Sequence, residues 1–314
     1  MRHAVLHGLS HLNPIGHSHD SSDSVDDALA SNEEGIRTLK ISLAALMVTA
    51  LLQAVVVAFT GSVALLADTI HNFGDALTAL PLWVAFALAR RPANRVYTYG
   101  YGRAEDLAGV AIVGLILFSA CVAGYQSVAK LINGSEVSNV GWVAAAGVVG
   151  FLGNELVARF RIRVGKKIGS AALVADGQHA RTDGFTSLAV VLGASGVALG
   201  YPILDPLVGL GITAAILFIV KDSALSMWRR MMDAVEPEIV QSIEDAAAGV
   251  LGVEGVRAVR ARWVGHRVHS EVEIGVPESS SASEVARIRE RLFAEAKRTV
   301  PKLERLVVEA LPHG

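Results

Sequence analysis

Six apolar runs, each long enough to cross a membrane, constrain the fold of this sequence more than any other feature. They lie at about 40–60, 63–89, 105–128, 139–159, 170–199 and 203–225, and a membrane-spanning helix needs roughly 20 such residues. The whole chain is 52% hydrophobic and 18% charged, which is too apolar for an ordinary soluble domain. We therefore predict an α-helical membrane protein with six transmembrane helices within residues 37–230.

Two of these runs, the second and the fifth, contain the same polar pattern, Asp-x-x-His-x-x-x-Asp. The residues that form the two copies are Asp68, His71, Asp75, Asp176, His179 and Asp183. On a helix, steps of three and four residues place such side chains on one face. An ionisable residue inside a membrane span costs about 2.5 kcal/mol or more, so it usually lines an ion or proton path. Two matched faces of carboxylates and imidazoles indicate a divalent metal site.

Basic residues are concentrated in alternate connections between the apolar runs. Lys and Arg occur after the second, fourth and sixth runs, with Arg161 in the connection after the fourth run. The other connections contain none except Lys130, beside the end of the third run. By the positive-inside rule both termini lie in the cytoplasm, and we predict a multi-pass protein of the cell membrane. The second and fifth runs then cross in opposite directions, which is typical of an inverted repeat with a binding site near the membrane midplane.

The N-terminal segment, residues 1–36, is polar and contains five histidines: His3, His7, His11, His17 and His19. It lacks the apolar h-region of a signal peptide, and we predict a disordered cytoplasmic segment. Two interpretations of its histidines stay open. A His-rich segment can hold metal weakly and deliver it, and an ordinary solvated tail can carry the same residues.

From about Val235 the composition changes to that of a soluble domain. The segment Ser281-Ala-Ser-Glu284 has the capping-box pattern that starts a helix. The predicted elements are a helix at Glu238–Val250, strands at Val256–Trp263 and Arg267–Val276, a helix at Ser281–Arg298 and a strand at Leu303–Leu311. This order predicts a small C-terminal cytoplasmic α+β domain at 235–314, similar to ferredoxin and metallochaperone folds.

With these features in place, the chain resembles the cation diffusion facilitator (CDF) family of zinc transporter-like efflux proteins. The segments that carry the resemblance are Ser62-Val-Ala-Leu-Leu-Ala-Asp-Thr-Ile-His71 with Asp75, Tyr99-Gly-Tyr-Gly-Arg-Ala-Glu105, Ala175-Asp-Gly-Gln-His179 through Asp183, Leu204-Asp-Pro-Leu-Val-Gly209 and Met232-Asp-Ala-Val-Glu-Pro237. The resemblance implies a homodimer in the lipid bilayer. Such a protein exports divalent metal from the cytoplasm in exchange for protons, by alternating access.

The resemblance also implies a central metal site built from four side chains, two on each motif helix. Carried over to this sequence, they are His71, Asp75, His179 and Asp183. Two imidazoles and two carboxylates can close a tetrahedral shell that suits Zn²⁺ or Co²⁺ better than Mg²⁺ or Ca²⁺. Zn²⁺ is therefore the expected substrate, with Co²⁺, Cd²⁺ or Fe²⁺ as alternatives, and we expect no prosthetic group.

Other polar residues near the spans have several interpretations. Asp68 and Asp176 either hydrogen-bond a ligand histidine or gate the metal path, or they cap helix ends. Arg181 is expected to pair with a carboxylate or to reach a wet cavity. Asn154 and Glu155 are interpreted as interfacial residues near the inner end of the fourth span.

Two pairs of residues concern the cytoplasmic side. The resemblance implies a charge pair between Arg103, at the inner start of the third span, and Asp233, just after the sixth. This pair would hold the base of the dimer together. His266 and His269 are either weak regulatory metal ligands or surface histidines at a strand edge.

The sequence departs from the wider metal inventory of the family. Tyr97 and Tyr101 stand where a metal site in the loop after the second span would have histidines. Glu273, Ala286 and Glu309 stand where some members have the histidines of a cytoplasmic metal centre. We predict no loop site and no tight metal centre in the cytoplasmic domain.

Two other functional classes are less compatible with the sequence. An intramembrane metalloenzyme needs an open coordination position and a general base, whereas the four candidate ligands close a tetrahedron. A membrane-anchored metal sensor would not need duplicated acids in antiparallel spans. The net charge of −2 gives no indication of nucleic-acid binding. We therefore predict a transporter and no enzyme.

Overall fold

The computed structural model describes residues 19–60, 79–133 and 140–312 of the chain. Within these ranges, the N-terminal part is helical and the C-terminal part combines helices with a sheet. The N-terminal helices are α1 (His19–Thr60), α2 (Ala79–Ala89), α3 (Arg103–Asn133), α4 (Val140–Ile168), α5 (Ala171–Ala198) and α6 (Leu204–Met231). The C-terminal elements are α7 (Pro237–Ala248), β1 (Gly255–Val264), β2 (Arg267–Val276), α8 (Ala282–Thr299) and β3 (Leu303–Pro312).

Four of the described helices are long and apolar enough to cross a membrane: Ser31–Val55 within α1, and the whole of α3, α4 and α6. Helix α2 is a shorter apolar helix of 11 residues at the end of the second predicted span. Helix α5 covers the fifth predicted span with 28 residues and carries the charged residues of the motif. The fold is thus a helical membrane domain with four candidate spans, and the number of six stays a prediction.

The helices of the membrane domain share an apolar core. Its central side chains come from α2, α3, α5 and α6, are at most 1% exposed, and are Phe86, Ile112, Leu173 and Ile216. Large apolar side chains also cover the outside of the helices. Phe118 and Phe218, for example, are 67% and 69% exposed. Helices that are apolar on all sides are typical of a membrane domain.

Helices α4 and α5 approach each other closely at Gly177. A Cβ atom at this position would lie 3.0 Å from the backbone nitrogen of Ile162 and 3.1 Å from the Cβ atom of Arg161. Small residues allow such close packing between helices in membranes. Helix α4 continues to Ile168, beyond the predicted end of its span at 159. The prediction that placed Arg161 in a cytoplasmic loop is therefore wrong, and this residue faces α5.

The C-terminal domain is a three-stranded sheet with α7 and α8 on one face. The strand order is β1-β2-β3, with β1 and β2 antiparallel and β2 and β3 parallel. Val268 and Val272 of β2 are at most 1% exposed and pack with Ile243 of α7 and Leu292 of α8. The order and type of the elements confirm the predicted α+β domain, including the capping box at Ser281.

The prediction of disorder up to residue 36 is wrong for its last part, because α1 already begins at residue 19. Glu33 Oε1 lies 3.2 Å from Arg90 Nη2, and Glu34 Oε1 lies 2.7 Å from Lys167 Nζ. These acids pair with basic residues near the ends of α2 and α4, and local sequence patterns do not reveal such contacts. Residues 1–18, with four of the five N-terminal histidines, lie outside the described residues.

The turn between β1 and β2 joins the two domains. The Gly265 N–H donates to Asp106 Oδ2 over 3.3 Å, and the Gly265 carbonyl accepts from Arg230 Nη1 over 2.6 Å. Gly265 has a φ of +60°, and a Cβ atom there would lie 2.9 Å from Glu105 Oε2. His266 Nδ1 lies 2.7 Å from the same Glu105 oxygen, and His266 is 4% exposed. The interpretation of His266 as a surface residue is therefore wrong.

Replacing His266 with Ala is expected to destabilise the full-length protein, because Glu105 would be buried without its partner. Leaving a buried polar group unsatisfied costs about 1–3 kcal/mol, and more when the group is charged. The melting temperature of the purified protein in detergent measures the effect. His269→Ala is the matched control, since its partner Glu304 has a side chain that is 38% exposed. An equal loss of stability in both variants would contradict this assignment.

Candidate metal site

Helix α5 carries the second copy of the motif on one buried face. The helix begins after Ser170, whose hydroxyl accepts a hydrogen bond from the Leu173 N–H over 3.0 Å. It then runs without interruption to residue 198. Asp176, His179 and Asp183 therefore share a face, and they are 0%, 2% and 2% exposed.

His179 and Asp183 are the described half of the predicted metal site. His179 Nδ1 lies 3.8 Å from Asp183 Oδ1, so an imidazole nitrogen and a carboxylate oxygen stand close enough to bind one ion together. These are donor types that Zn²⁺ prefers in proteins. One turn of helix thus supplies two of the four expected ligands.

The first copy of the motif, Asp68, His71 and Asp75, lies outside the described residues. Within the described ranges, no group of three or more His, Cys, Asp or Glu side chains meets as a metal site. The joint site of four ligands therefore stays a prediction, of which the structure describes the α5 half.

Uncharged polar side chains lie beside Asp183 and about one helical turn farther along α5. Asn154 of α4 is 3% exposed, and its Cβ atom lies 3.4 Å from a Cβ atom built at Gly184. Ser187 of α5 and Gln53 of α1 are each 1% exposed, and Gln53 Nε2 donates to a carbonyl of α4 over 3.4 Å. The interpretation of Asn154 as interfacial is wrong, because the longer α4 carries it into the bundle.

Arg181 of α5 pairs with Glu155 of α4, which confirms the predicted carboxylate partner. Arg181 Nε lies 3.2 Å from Glu155 Oε2, and Arg159 Nε lies 2.7 Å from the other oxygen of the same carboxylate. The Glu155 side chain is 15% exposed, so the group lies at the edge of the bundle. The charge of Arg181 is thus balanced locally, next to the metal-binding face.

Asp176 forms an ion pair with Arg161, which the sequence patterns did not predict. Arg161 Nη1 lies 2.9 Å from Asp176 Oδ2, and the side chains are 1% and 0% exposed. Asp176 is well inside α5, so the interpretation as a helix cap is wrong. Removing one partner of a buried ion pair typically costs about 3–5 kcal/mol. Continuing the helical pattern of α4 past residue 159 would have placed Arg161 opposite this acid.

The expected charge pair between Arg103 and Asp233 is present within one chain. An Arg103 guanidinium nitrogen contacts Asp233 Oδ1, and Arg103 Nη1 donates to the Arg230 carbonyl over 3.2 Å. Arg262 of β1 also lies 3.6 Å from Asp233 Oδ2. Asp233 thus connects the start of α3, the end of α6 and the sheet of the cytoplasmic domain.

The residues that stand in place of the family's additional metal-binding histidines make other contacts. Glu273 Oε1 lies 3.3 Å from Arg260 Nη2, and Glu273 is opposite Glu309 in the register of β2 and β3. The rings of Tyr97 and Tyr101 lie against each other with centroids 4.7 Å apart. Whether a tight metal centre is absent from these places stays a prediction.

The two cytoplasmic histidines engage different acids. His269 Nε2 lies 3.0 Å from Glu304 Oε2, and this hydrogen bond lowers the pKa of the Glu304 carboxyl below its usual value. His266 contacts Glu105 at the domain junction instead. The structure therefore does not bring His266 and His269 together in one site.

Comparison with known proteins gives the chain a family. The model of the cation efflux transmembrane domain matches residues 39–230, and that of the cation efflux protein cytoplasmic domain matches residues 235–313. A probable cation efflux system protein of Mycobacterium tuberculosis is 56% identical over 300 residues, which cover 95% of this chain and 90% of that protein. The magnetosome protein MamB of Paramagnetospirillum magneticum is 27% identical, with 81% and 86% covered.

The chain also matches a plant protein and a solved protein domain. Metal tolerance protein 2 of Oryza sativa subsp. japonica is 27% identical over 289 residues, which cover 83% of this chain and 74% of that protein. A solved nickel form of a MamM C-terminal domain variant is 29% identical, covers 25% of this chain and 100% of its own, and has a TM-score of 0.24.

The chain therefore belongs to the cation diffusion facilitator family. Members of this family are cation efflux transporters and not enzymes, which confirms the prediction of a metal transporter without enzyme activity. The alternative of an intramembrane metalloenzyme is thus excluded by family membership.

Replacing Asp233 with Ala is expected to slow metal transport more than it lowers stability. Half-exposed ion pairs contribute only about 0–1 kcal/mol, but Arg103 and Arg262 would lose the carboxylate that they share. Transport into proteoliposomes and metal binding in detergent measure the two effects, and binding should stay close to wild type. Asp245→Ala, on the exposed side of α7, is the control. Wild-type transport in Asp233→Ala would rule out a role for this contact.

Proposed function

We propose that the protein exports divalent transition metal, with Zn²⁺ as its main substrate, from the cytoplasm in exchange for protons. The observation that carries the proposal is the buried His179–Asp183 pair on α5, whose motif recurs at residues 68–75 in the second predicted span. Family membership supports metal export. The identity of the metal and the coupling to protons are argued from the chemistry of the ligands.

The ligand set favours Zn²⁺ over harder cations. Ca²⁺ takes six to eight oxygen ligands and Mg²⁺ requires octahedral oxygen coordination, whereas two imidazoles and two carboxylates fit a tetrahedral ion of intermediate softness. With His71 and His179 neutral and Asp75 and Asp183 ionised, the four ligands carry a charge of −2. Bound Zn²⁺ neutralises this charge inside the apolar bundle.

Coupling to protons follows from competition for the same groups. Metal binding requires neutral imidazoles and ionised carboxylates, so bound protons and bound metal exclude each other. Once the metal leaves, the uncompensated negative charge in the bundle is unfavourable. Proton uptake by the empty site then balances metal release, which makes exchange the favoured mechanism.

We also propose the orientation and assembly of the transporter. The cytoplasmic domain contacts the start of α3 and the end of α6, so these ends lie on the cytoplasmic side, together with the basic end of α4. Both termini are then cytoplasmic. We propose a homodimer in the plasma membrane, in keeping with the match to the cytoplasmic domain of cation efflux proteins.

Metal flux in proteoliposomes tests the proposed function directly. Zn²⁺ should be transported, and Co²⁺, Cd²⁺, Fe²⁺ and Mn²⁺ should compete less well. Asp183→Ala should abolish both Zn²⁺ binding and Zn²⁺ transport, because a ligand and a proton carrier are lost together. Asp222→Ala, at an exposed position of α6, is the control and should transport normally. Transport that persists in Asp183→Ala would overturn the proposed site.

The affinity for Zn²⁺ is expected to fall as the pH drops from about 7 to about 6, through the usual titration range of histidine. The sign follows from competition, since each proton bound to a ligand must leave before metal binds. Calorimetry on the detergent-solubilised protein measures the affinity. In vesicles, a proton gradient that is acidic on the extracellular side should drive export. Flux that ignores this gradient at a clamped membrane potential would exclude antiport.

A further inference from the structure

The buried ion pair between Arg161 and Asp176 lies in line with the metal-binding residues. Asp176 precedes His179 by three residues, so both side chains share a face of α5 and are offset by about 4.5 Å along its axis. The two charged groups of the pair are 2.9 Å apart, with 1% and 0% of their side chains exposed. A permanent cation thus stands one turn from the ligand pair.

The ion pair lies on the cytoplasmic side of the ligand pair. Helix α5 begins at Ala171, and the carbonyl of Gly169 just before it accepts a hydrogen bond from Arg230 Nη2 over 2.9 Å. Arg230 in turn binds the turn of the cytoplasmic domain at Gly265. Asp176 therefore lies between the cytoplasmic end of α5 and His179. Metal that comes from the cytoplasm along α5 meets Asp176 first.

The seam between α4 and α5 is closed around this pair. Gly177 brings the backbones of the two helices into contact beside Arg161. Farther along the seam, Val157, Ala158 and Ala180 are 4%, 0% and 2% exposed and belong to one apolar cluster. Passage along this closed seam would therefore require the guanidinium to move away from the carboxylate.

The contacts of the pair are better suited to exchange than to permanent stabilisation. A buried ion pair stabilises a fold when further hydrogen bonds satisfy its remaining donors and acceptors. Among the residues that the structure describes, Arg161 Nε and Nη2 and Asp176 Oδ1 have no hydrogen-bond partner. A divalent cation at Asp176 would take over the role of the guanidinium as the positive partner of the carboxylate.

We propose that Arg161 and Asp176 form an ion-pair gate on the cytoplasmic side of the metal site. An incoming divalent cation replaces the Arg161 guanidinium at Asp176, and the cation then moves on to His179 and Asp183. The proposal rests on the proposed metal export. In the closed pair, the guanidinium repels a second cation and occupies the carboxylate. When the metal has moved on to His179 and Asp183, the return of Arg161 to Asp176 blocks its way back.

The test compares Zn²⁺ transport rates in proteoliposomes with equilibrium Zn²⁺ binding in detergent. Asp176→Asn should lower the maximal transport rate at least tenfold and change the binding affinity less than threefold. Arg161→Gln leaves the carboxylate uncompensated, so it should slow transport at least tenfold and tighten apparent Zn²⁺ binding at least threefold. Arg163→Gln, at an exposed position two residues along α4, is the control and should stay within twofold of wild type.

A double variant separates a gate from a structural contact. Arg161→Gln combined with Asp176→Asn keeps a neutral, hydrogen-bonding pair, and its melting temperature reports whether the fold is intact. A gate predicts that transport stays at least tenfold below wild type, because the carboxylate is still missing. Recovery to within twofold of wild type would overturn the gate and leave a structural pair.

If the Gln and Asn variants do not fold, Arg161→Lys distinguishes a gate from a structural contact. A gate requires only an exchangeable cation, so the transport rate of Arg161→Lys should stay within threefold of wild type. A structural contact that requires the geometry of the guanidinium would lower the transport rate further. Failure of the metal-export proposal is recognised separately, by a wild-type protein that moves no Zn²⁺ or an Asp183→Ala variant that still does. Wild-type rates in both single gate variants, with Asp183→Ala inactive, would overturn the gate alone.

Discussion

Burial of charge inside an apolar helix bundle determines how the described helices and the cytoplasmic domain pack together. Each ion removed from water costs several kcal/mol, and that cost is offset when a partner of opposite charge or a metal takes the place of water. Three buried pairs of the described structure show this arrangement. They are Arg161 with Asp176, His179 with Asp183, and His266 with Glu105.

This constraint links the membrane domain to the cytoplasmic domain. Glu105 and Asp106 are buried at the start of α3, where an apolar bundle alone could not satisfy them. The turn at Gly265 and His266 supplies an N–H and an imidazole to these acids, and Arg230 adds a guanidinium to the carbonyl of the same turn. The cytoplasmic domain therefore completes the polar end of the membrane domain, and the two halves of the chain are stabilised together.

Local patterns in the sequence predicted some of these features and did not predict others. Hydrophobic periodicity and the capping box predicted every element of the C-terminal domain, and the three-and-four spacing placed Asp176, His179 and Asp183 on one buried face. The partner of Asp176 was missed because basic residues at the end of a span look like a loop, although α4 extends through them. His266 was missed for a similar reason, since its burial depends on a contact 161 positions away in the sequence.

The short connection between α4 and α5 bears on how the protein enters the membrane. Helix α5 is a poor candidate for insertion into a membrane by itself. Between Asp176 and Asp183 it carries three acidic or basic side chains and a histidine. Gly169 and Ser170 alone separate it from α4, which carries Arg161 for Asp176 and Glu155 for Arg181. During biosynthesis, the helical hairpin can neutralise these charges internally before it meets lipid. We therefore expect α4 and α5 to enter the membrane together as a hairpin.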